Sequence, residues 1–108
     1  VVDLVFETDK TPTAEEINAA VKAAANGPMK GILQYCDEEL VSSDFNGNRH
    51  SSIFDSACTK VLEPGFAKIL SWYDNEMGFS TRMGDVIAML AKSFSEFFLN
   101  METFIKPE

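Results

Sequence analysis

Short apolar strands, interrupted by only two helical segments, constrain the fold of this chain most strongly. Residues 1–6 are mostly β-branched or bulky apolar residues, which favours a strand beginning at the first residue, and we therefore expect further structure before it. A turn signal, Glu63-Pro64-Gly65, precedes another clear strand over residues 66–73. Because strands and helices do not alternate strictly, this order predicts the α+β class: a mixed, mostly antiparallel sheet with helices packed on one face.

The first helix has sequence signals at both ends. Thr13, followed three residues later by Glu16, forms a capping box, and Asn26-Gly27-Pro28 predicts the helix end, with Gly27 as a left-handed cap. An apolar face of mostly small residues predicts a helix that lies close against the sheet. Its members recur at helical spacing: Ile17, Ala20, Val21 and Ala24.

Two further segments predict a β-hairpin, and the last part of the chain predicts a second helix. Residues 40–45 favour a strand, Asn46-Gly47-Asn48 is a turn signal, and residues 51–55 form the return strand. Residues 74–78 are predicted to form a polar loop. Apolar residues at helical spacing then predict a helix that Pro107 ends. They are Phe79, Met83, Val86, Ile87, Leu90, Phe94, Phe97, Phe98 and Met101.

The charge of the chain excludes several classes of partner. It has 9 Lys and Arg residues against 17 Asp and Glu residues, a net charge of −8. Binding to nucleic acid or to an anionic membrane surface needs basic surface, so we expect neither as a partner. No apolar run is long enough to span a bilayer, and no secretory signal pattern is present. We therefore expect a cytoplasmic protein.

The residues able to do chemistry are few. Cys36 and Cys58 fit no zinc spacing, and with one histidine they predict no metal site. Cys58 is expected to be a buried structural thiol, and the acidic residues 37–39 disfavour a thiolate at Cys36 by repulsion. His50 is expected to be an exposed turn residue with no carboxylate partner. The acidic run itself is interpreted as a solvated loop.

Several segments resemble one enzyme family. Residues 71–82, Ser-Trp-Tyr-Asp-Asn-Glu-Met-Gly-Phe-Ser-Thr-Arg, resemble the C-terminal signature of phosphorylating glyceraldehyde-3-phosphate dehydrogenases. Residues 41–46 with 50–55 resemble the sheet hairpin of that family, and residues 1–4 and 27–33 match in the same order. A colinear match from Val1 to about Lys92 is far more specific than one short motif. It implies that residues 1–92 are the C-terminal part of a dehydrogenase catalytic domain and that residues 93–108 are a helical tail outside the family pattern.

The resemblance also implies a cofactor and a set of site residues. In this family a Rossmann domain binds NAD, and a cysteine nucleophile with an activating histidine precedes the strand that begins here. The chain would therefore be part of an NAD-dependent enzyme of glycolysis and inactive alone. Tyr73 matches a residue beside the catalytic pair, and Asn75 matches the asparagine that hydrogen-bonds the nicotinamide carboxamide. Phe79 stands where many members have a tyrosine beside the nicotinamide. Without the resemblance, Asn75 would be interpreted as a helix cap.

The resemblance leaves two alternatives open. The substrate-reading residues are absent, so a fragment of the related erythrose-4-phosphate dehydrogenase is an alternative to the leading interpretation. A different class of function is a stand-alone, non-catalytic module that binds dehydrogenase subunits. In either case we expect association with subunits, or self-association, through the sheet face. The tail is either a partner-binding helix, a cover for exposed sheet surface that docks on apolar side chains, or the product of a disrupted reading frame.

Overall fold

The computed structural model describes residues 1–105, so the predicted helix end at Pro107 lies outside the described part. These residues form one sheet of five strands, two α-helices and two short 3₁₀ helices, the latter at Ser42–Phe45 and Ser56–Cys58. In chain order the elements are β1 (Val2–Glu7), α1 (Ala14–Asn26), β2 (Leu33–Cys36), β3 (Ser52–Asp55), β4 (Lys60–Leu62), β5 (Phe66–Trp72) and α2 (Met77–Ile105).

Strand β5 organises the sheet. It pairs antiparallel with β1 along one edge and with β3 and β4, one after the other, along its second edge. Strand β2 is parallel to β3 and completes the order β1-β5-β3-β2. Three of the four pairings are antiparallel, which confirms the predicted α+β class with a mixed, mostly antiparallel sheet.

The predicted hairpin over residues 40–55 is wrong. Instead of a strand, Ser42–Phe45 forms a 3₁₀ helix whose Phe45 is only 3 % exposed and stacks on Trp72 with ring centroids 5.6 Å apart. Strand β2 takes the place beside β3 and runs parallel to it. Burial of Phe45 against a residue 27 positions later outweighs the local strand propensity of residues 40–45.

Helix α1 begins and ends where the sequence predicted, but its C-terminal cap has a different conformation. The Thr13 hydroxyl accepts a hydrogen bond from the Glu16 N–H at 3.1 Å, and the Glu16 carboxylate accepts from the Thr13 N–H at 2.9 Å, which confirms the capping box. Gly27 has φ −123°, so the predicted left-handed cap is wrong. A β-carbon at Gly27 would lie 3.0 Å from the Ala23 carbonyl oxygen, so this glycine permits a close backbone approach.

Helix α1 covers one face of the sheet. The Lys22 ammonium lies 5.1 Å from the ring centre of Tyr35, which in turn stacks on Phe54. The Asn18 side chain donates to the Ser56 carbonyl and accepts from the Thr59 hydroxyl. On the opposite face, a second group of side chains forms the core with Trp72 and Leu40 packed against it: Cys36, Phe45 and Ile53.

Helix α2 contacts the sheet domain through its first turns and then extends beyond it. Buried Gly78 lies against the backbone of His50, and the Arg82 guanidinium donates to the Gly31 carbonyl and the Ser51 hydroxyl, both at 3.3 Å. The helix begins at Met77, so the predicted loop over residues 74–78 is shorter than expected.

The helix continues unbroken to Ile105, so the tail is helical as predicted. Its apolar side chains remain exposed, however, and the expected docking of the tail onto this chain is not seen within residues 1–105. Among residues 1–105, neither α-helix has an apolar stretch of the length needed to cross a membrane.

Candidate functional site

The candidate site lies where the chain leaves β5. After Trp72, residues 73–76 cross to the beginning of α2. Residues 72–75 form one wall of a cavity of about 400 Å³. The other wall comes from the 3₁₀ segment and its following residue. The lining residues are Val1, Ser42, Ser43, Asn46, Trp72, Tyr73, Asp74 and Asn75. The 3₁₀ helix that replaces the predicted hairpin therefore contributes directly to the cavity.

Asp74 fixes the geometry of this loop. One carboxylate oxygen accepts hydrogen bonds from the N–H groups of Glu76 (2.8 Å) and Met77 (2.7 Å), and thereby caps the beginning of α2. The other oxygen accepts from the Gly47 N–H at 2.9 Å. One side chain thus ties β5, the helix and the loop after the 3₁₀ segment together, with both oxygens occupied.

The hydrogen bonds to Asp74 favour its charged form. The bond from the Met77 N–H, followed by those from Gly47 and Glu76, lowers the pKa of this carboxyl below its usual value, although partial desolvation opposes the shift. Asp74 is therefore ionised throughout the neutral range. Sequence reasoning missed this residue, although an aspartate two or three residues before a helix is a recognisable capping signal.

Asn75 and Tyr73 are brought together on the cavity wall. Asn75 is exposed, and its side-chain amide makes no hydrogen bond within residues 1–105, so it does not cap α2 as the alternative interpretation predicted. Tyr73 is 44 % exposed and lines the same cavity. An unpaired amide in a cavity that an aromatic residue also lines can accept and donate a hydrogen bond to a planar polar ligand.

Phe79 lies elsewhere. It is 71 % exposed on α2 and lines a separate surface depression of about 280 Å³ with Arg82, Met83, Val86 and Ile87. The cavity that holds Tyr73 and Asn75 is not lined by Phe79. The structure therefore joins two of the three residues singled out from the sequence, and the role of Phe79 beside a nicotinamide stays a prediction.

The two thiols are free and poorly suited to nucleophilic chemistry. Cys36 is buried and donates weakly to the Glu38 carbonyl at 3.6 Å. Cys58 is half-buried, more accessible than expected from the sequence. Desolvation first, and then the hydrogen bond to Asp55 and its negative charge, raise the pKa of the Cys58 thiol. The Asp55 carboxylate is itself buried and accepts from the Trp72 indole N–H at 3.1 Å.

The remaining candidates from the sequence are His50 and the acidic residues 37–39. The His50 ring is half-buried, less exposed than predicted, and within residues 1–105 it forms its hydrogen bond with the Asn48 amide oxygen at 2.9 Å, not with a carboxylate. Residues 37–39 form an exposed acidic loop, as predicted. In the part of the chain that the structure describes, no group of three or more His, Cys, Asp or Glu side chains is arranged to hold a metal ion.

Comparison of the sequence with known proteins places the chain in a family. The family model described as "Glyceraldehyde 3-phosphate dehydrogenase, C-terminal domain" matches residues 1–75, which is more than half of the chain. The chain belongs to the glyceraldehyde 3-phosphate dehydrogenase family. The matched range ends at Asn75, so it includes the cavity wall formed by Tyr73 and Asn75 and excludes Phe79.

Individual proteins of this family also match the chain in sequence. Glyceraldehyde-3-phosphate dehydrogenase 1 of Bacillus subtilis is 54 % identical over 91 residues, which cover 84 % of this chain and 27 % of the relative. The protein of the same name from Saccharomyces cerevisiae is 52 % identical over 93 residues, or 86 % of this chain and 28 % of the relative. A glyceraldehyde-3-phosphate dehydrogenase of Cereibacter sphaeroides is 54 % identical over 92 residues. The chain therefore spans somewhat more than a quarter of the length of the curated relatives it matches.

Proposed function

We propose that this chain serves as the C-terminal part of the catalytic domain of an NAD-dependent, phosphorylating glyceraldehyde-3-phosphate dehydrogenase of glycolysis. The observation that carries the proposal is the cavity at the end of β5, where Asp74 holds the loop and leaves the Asn75 amide free. The family match over residues 1–75 supports it. Two free thiols agree with a reducing compartment, and we assign the protein to the cytoplasm.

The residues present fit one end of NAD. A nicotinamide carries a carboxamide, which pairs with an unbonded asparagine amide such as that of Asn75, and Tyr73 adds an aromatic wall. The phosphate and ribose ends need a glycine-rich turn at a helix N-terminus, and the 108-residue sequence contains no G-x-G-x-x-G pattern. When bound, NAD supplies the acceptor for the hydride of the aldehyde. Asn75 contributes by orienting the ring, not by chemistry of its own.

The chain alone is expected to have no dehydrogenase activity. The family reaction needs a thiolate, but Cys36 is buried and the pKa of Cys58 is raised by burial and by Asp55. His50 contacts an asparagine and is not paired with either cysteine. We expect no NADH absorbance above background when the pure chain is given aldehyde, phosphate and NAD. Turnover that disappears on alkylation of the cysteines would contradict this and would make Cys58 the residue to study.

A chimaera tests the proposal in a complete enzyme. Residues 1–92 replace the matching segment of the Bacillus subtilis relative, whose remaining length supplies the other parts. We expect this chimaera to reduce NAD in the presence of glyceraldehyde 3-phosphate and phosphate. Asn75→Ala should then lower kcat/KM for NAD about 10-fold or more, because the carboxamide loses a hydrogen bond in a desolvated site.

The matched control is Asn26→Ala, which removes an amide from α1, a different element of the chain. It should leave kcat/KM within about twofold of the unmodified chimaera. A folded chimaera without activity would contradict the proposal. Equal effects of the two substitutions would show that Asn75 does not orient the cofactor. Replacing the aldehyde by erythrose 4-phosphate in the same assay tests the alternative substrate.

We further propose that the uncovered sheet surface contacts other dehydrogenase subunits or a second copy of this chain. Strand β1 leaves apolar side chains exposed on both faces: Val2 (48 %) and Leu4 (46 %) on the α1 side, and Val5 (58 %) on the opposite side. Exposed apolar surface of this kind marks interaction sites. Val5→Lys should weaken association in sedimentation velocity, whereas Val41→Lys, at an equally exposed valine outside the sheet, should not. Equal association of both variants would contradict the proposal.

A further inference from the structure

Asp55 is a buried carboxylate that holds the ring of Trp72. It is the last residue of β3 and is 8 % exposed. One of its oxygens accepts a hydrogen bond from the Trp72 indole N–H at 3.1 Å, and the other accepts from the Ala57 N–H at 3.2 Å. A buried carboxylate is costly unless its oxygens are paired, so these two hydrogen bonds are what make the position acceptable for Asp55.

The sheet brings Asp55 and Trp72 together. Ile53 lies opposite Trp72 in the antiparallel pairing of β3 with β5. Because side chains alternate along a strand, Asp55 lies on the same face as Ile53, and its carboxylate meets the edge of the indole diagonally across the pair. The contact is therefore set by the register of two paired strands.

The Asp55–Trp72 contact is complete within the described chain. Both carboxylate oxygens are occupied by groups of residues 57 and 72, and the indole ring stacks on Phe45 with ring centroids 5.6 Å apart and an interplanar angle of 21°. It differs in this respect from the exposed apolar side chains of β1 and α2, which other parts of a longer protein would cover. An argument that begins at Asp55 consequently needs no partner outside residues 1–105.

Trp72 lies between the two walls of the cavity at the end of β5. Its side chain lines the cavity, and its backbone leads directly into Tyr73 and Asn75 on the first wall. Its ring stacks on Phe45, the last residue of the 3₁₀ helix Ser42–Phe45, which contributes to the second wall. The orientation of the indole ring therefore determines how the two walls lie relative to each other.

Loss of the Asp55 carboxylate would release this ring. The indole N–H would then have no acceptor in its present orientation, and an unpaired donor in a half-buried position costs free energy, so the ring would turn toward water. A turned ring loses its stacking on Phe45. Of the two ties between the walls, the hydrogen bond from the Gly47 N–H to Asp74 would remain and the aromatic one would not.

We propose that Asp55 is a positioning residue for the nicotinamide end of NAD: it holds the Trp72 ring, and through this ring it fixes the cavity wall from which Asn75 reaches the ligand. The inference rests on the proposed function, because the ligand is the one proposed for Asn75. Asp55 does not line the cavity and touches no reacting atom, so its effect passes entirely through Trp72.

Fluorescence of the 108-residue chain tests the contact itself. Trp72 is the only tryptophan in the sequence, so the emission reports this ring alone. Asp55→Leu removes both acceptor oxygens at similar volume, and it should shift the emission to longer wavelength and raise the acrylamide quenching constant. Asp55→Asn is the milder variant, because one amide oxygen cannot accept from both donors, and it should change both quantities in the same direction by less.

The matched control is Thr59→Val. Thr59 is as buried as Asp55, at 8 % exposure, and its hydroxyl donates to the Asn18 amide oxygen at 2.6 Å, on the side of the sheet that α1 covers. The substitution removes a buried hydrogen bond without touching Trp72. It should lower the Tm and leave the emission and quenching of Trp72 unchanged.

Kinetics of the chimaera that contains residues 1–92 test the consequence for the cofactor. Asp55→Leu should raise KM for NAD about fivefold or more and leave KM for glyceraldehyde 3-phosphate within about twofold, because the nicotinamide wall is what moves. A purely structural loss would instead lower the amount of active enzyme at unchanged KM, as Thr59→Val should. In an Asn75→Ala background, Asp55→Leu should change KM for NAD less than about twofold further, because the residue that it positions is already absent.

The outcomes separate the inference from the proposed function. A folded but inactive chimaera contradicts the proposed function and, with it, the cofactor on which the inference rests. In an active chimaera, an unchanged KM for NAD in both Asp55 variants overturns the inference alone. Trp72 emission that responds to neither Asp55 substitution overturns it as well, and so do effects of Asp55→Leu and Asn75→Ala on KM that multiply independently.

Discussion

Asp74 and Asn75 are adjacent in the chain, but their side chains serve opposite purposes. The Asp74 carboxylate is fully occupied by three backbone N–H groups, whereas the Asn75 amide has no partner within residues 1–105. A loop held by one residue can present the next one in a fixed orientation, because little conformational entropy remains to be lost when a ligand binds. The family signature predicted a nicotinamide contact for Asn75, which stays a prediction, but it did not predict that Asp74 holds the loop.

The role of Asp74 can be measured through the pH dependence of stability. Because its folded pKa is lowered, its contribution is present above the unfolded value of about 3.9 and is lost as the pH falls through the folded pKa. Asp74→Asn should therefore lower the Tm at neutral pH, and the difference from the unmodified chain should shrink as the pH falls below about 4. Asp9→Asn, at an exposed aspartate with no hydrogen bond among the described residues, is the matched control and should leave the Tm unchanged at either pH. A pH-independent difference for Asp74→Asn would show that the loss comes from the substituted shape and not from the charge.

At the scale of elements, local sequence signals were sufficient to predict part of the fold. The capping box of α1, the apolar run of β1 and the turn before β5 each depend on residues close together in sequence, and the structure has all three. The region from residue 40 to residue 55 depends on distant contacts. Phe45 is buried against Trp72, and β2 pairs with β3 across 15 intervening residues, and neither pairing has a local signal. The cavity wall formed by Ser42 and Ser43 was missed for the same reason.

The attachment of α2 to the sheet domain depends on a glycine. A β-carbon at Gly78 would lie 2.7 Å from the His50 carbonyl oxygen and 3.3 Å from the Ser51 α-carbon, so a larger residue must displace the helix. Gly78→Ala should destabilise the chain by roughly 1–3 kcal/mol in urea unfolding followed by Trp72 fluorescence. Gly84→Ala lies in the same helix with nothing within 4 Å and should stabilise it by up to about 1 kcal/mol. Destabilisation of similar size at both positions would contradict the close approach at Gly78.

At the scale of the whole molecule, the chain exposes more apolar surface than its small core buries. The fully buried large side chains are Phe54 and Ile53, whereas β1 and α2 present most of their apolar residues to solvent. Such a balance is expected of a segment that spans about a quarter of its relatives' length, because surfaces that other parts of a protein cover are then open. The two uncovered surfaces differ in kind, however, since one is a sheet face within the family match and the other continues along a helix beyond it.

Removal of residues 93–108 separates the contribution of the tail from that of the sheet domain. The tail side chains are exposed in the single chain, so in dilute solution, where the chain is monomeric, the deletion should leave the Tm nearly unchanged. Association through the exposed tail would stabilise the full chain by mass action at higher concentration, so its Tm should rise with concentration, whereas that of the shortened chain should not. The full-length double variant Phe94→Ser and Phe97→Ser keeps the helix length and removes two exposed apolar side chains of the tail, so it should behave like the deletion. A concentration-dependent Tm that persists in both variants would place the association on the sheet face, where Val5→Lys should then abolish it.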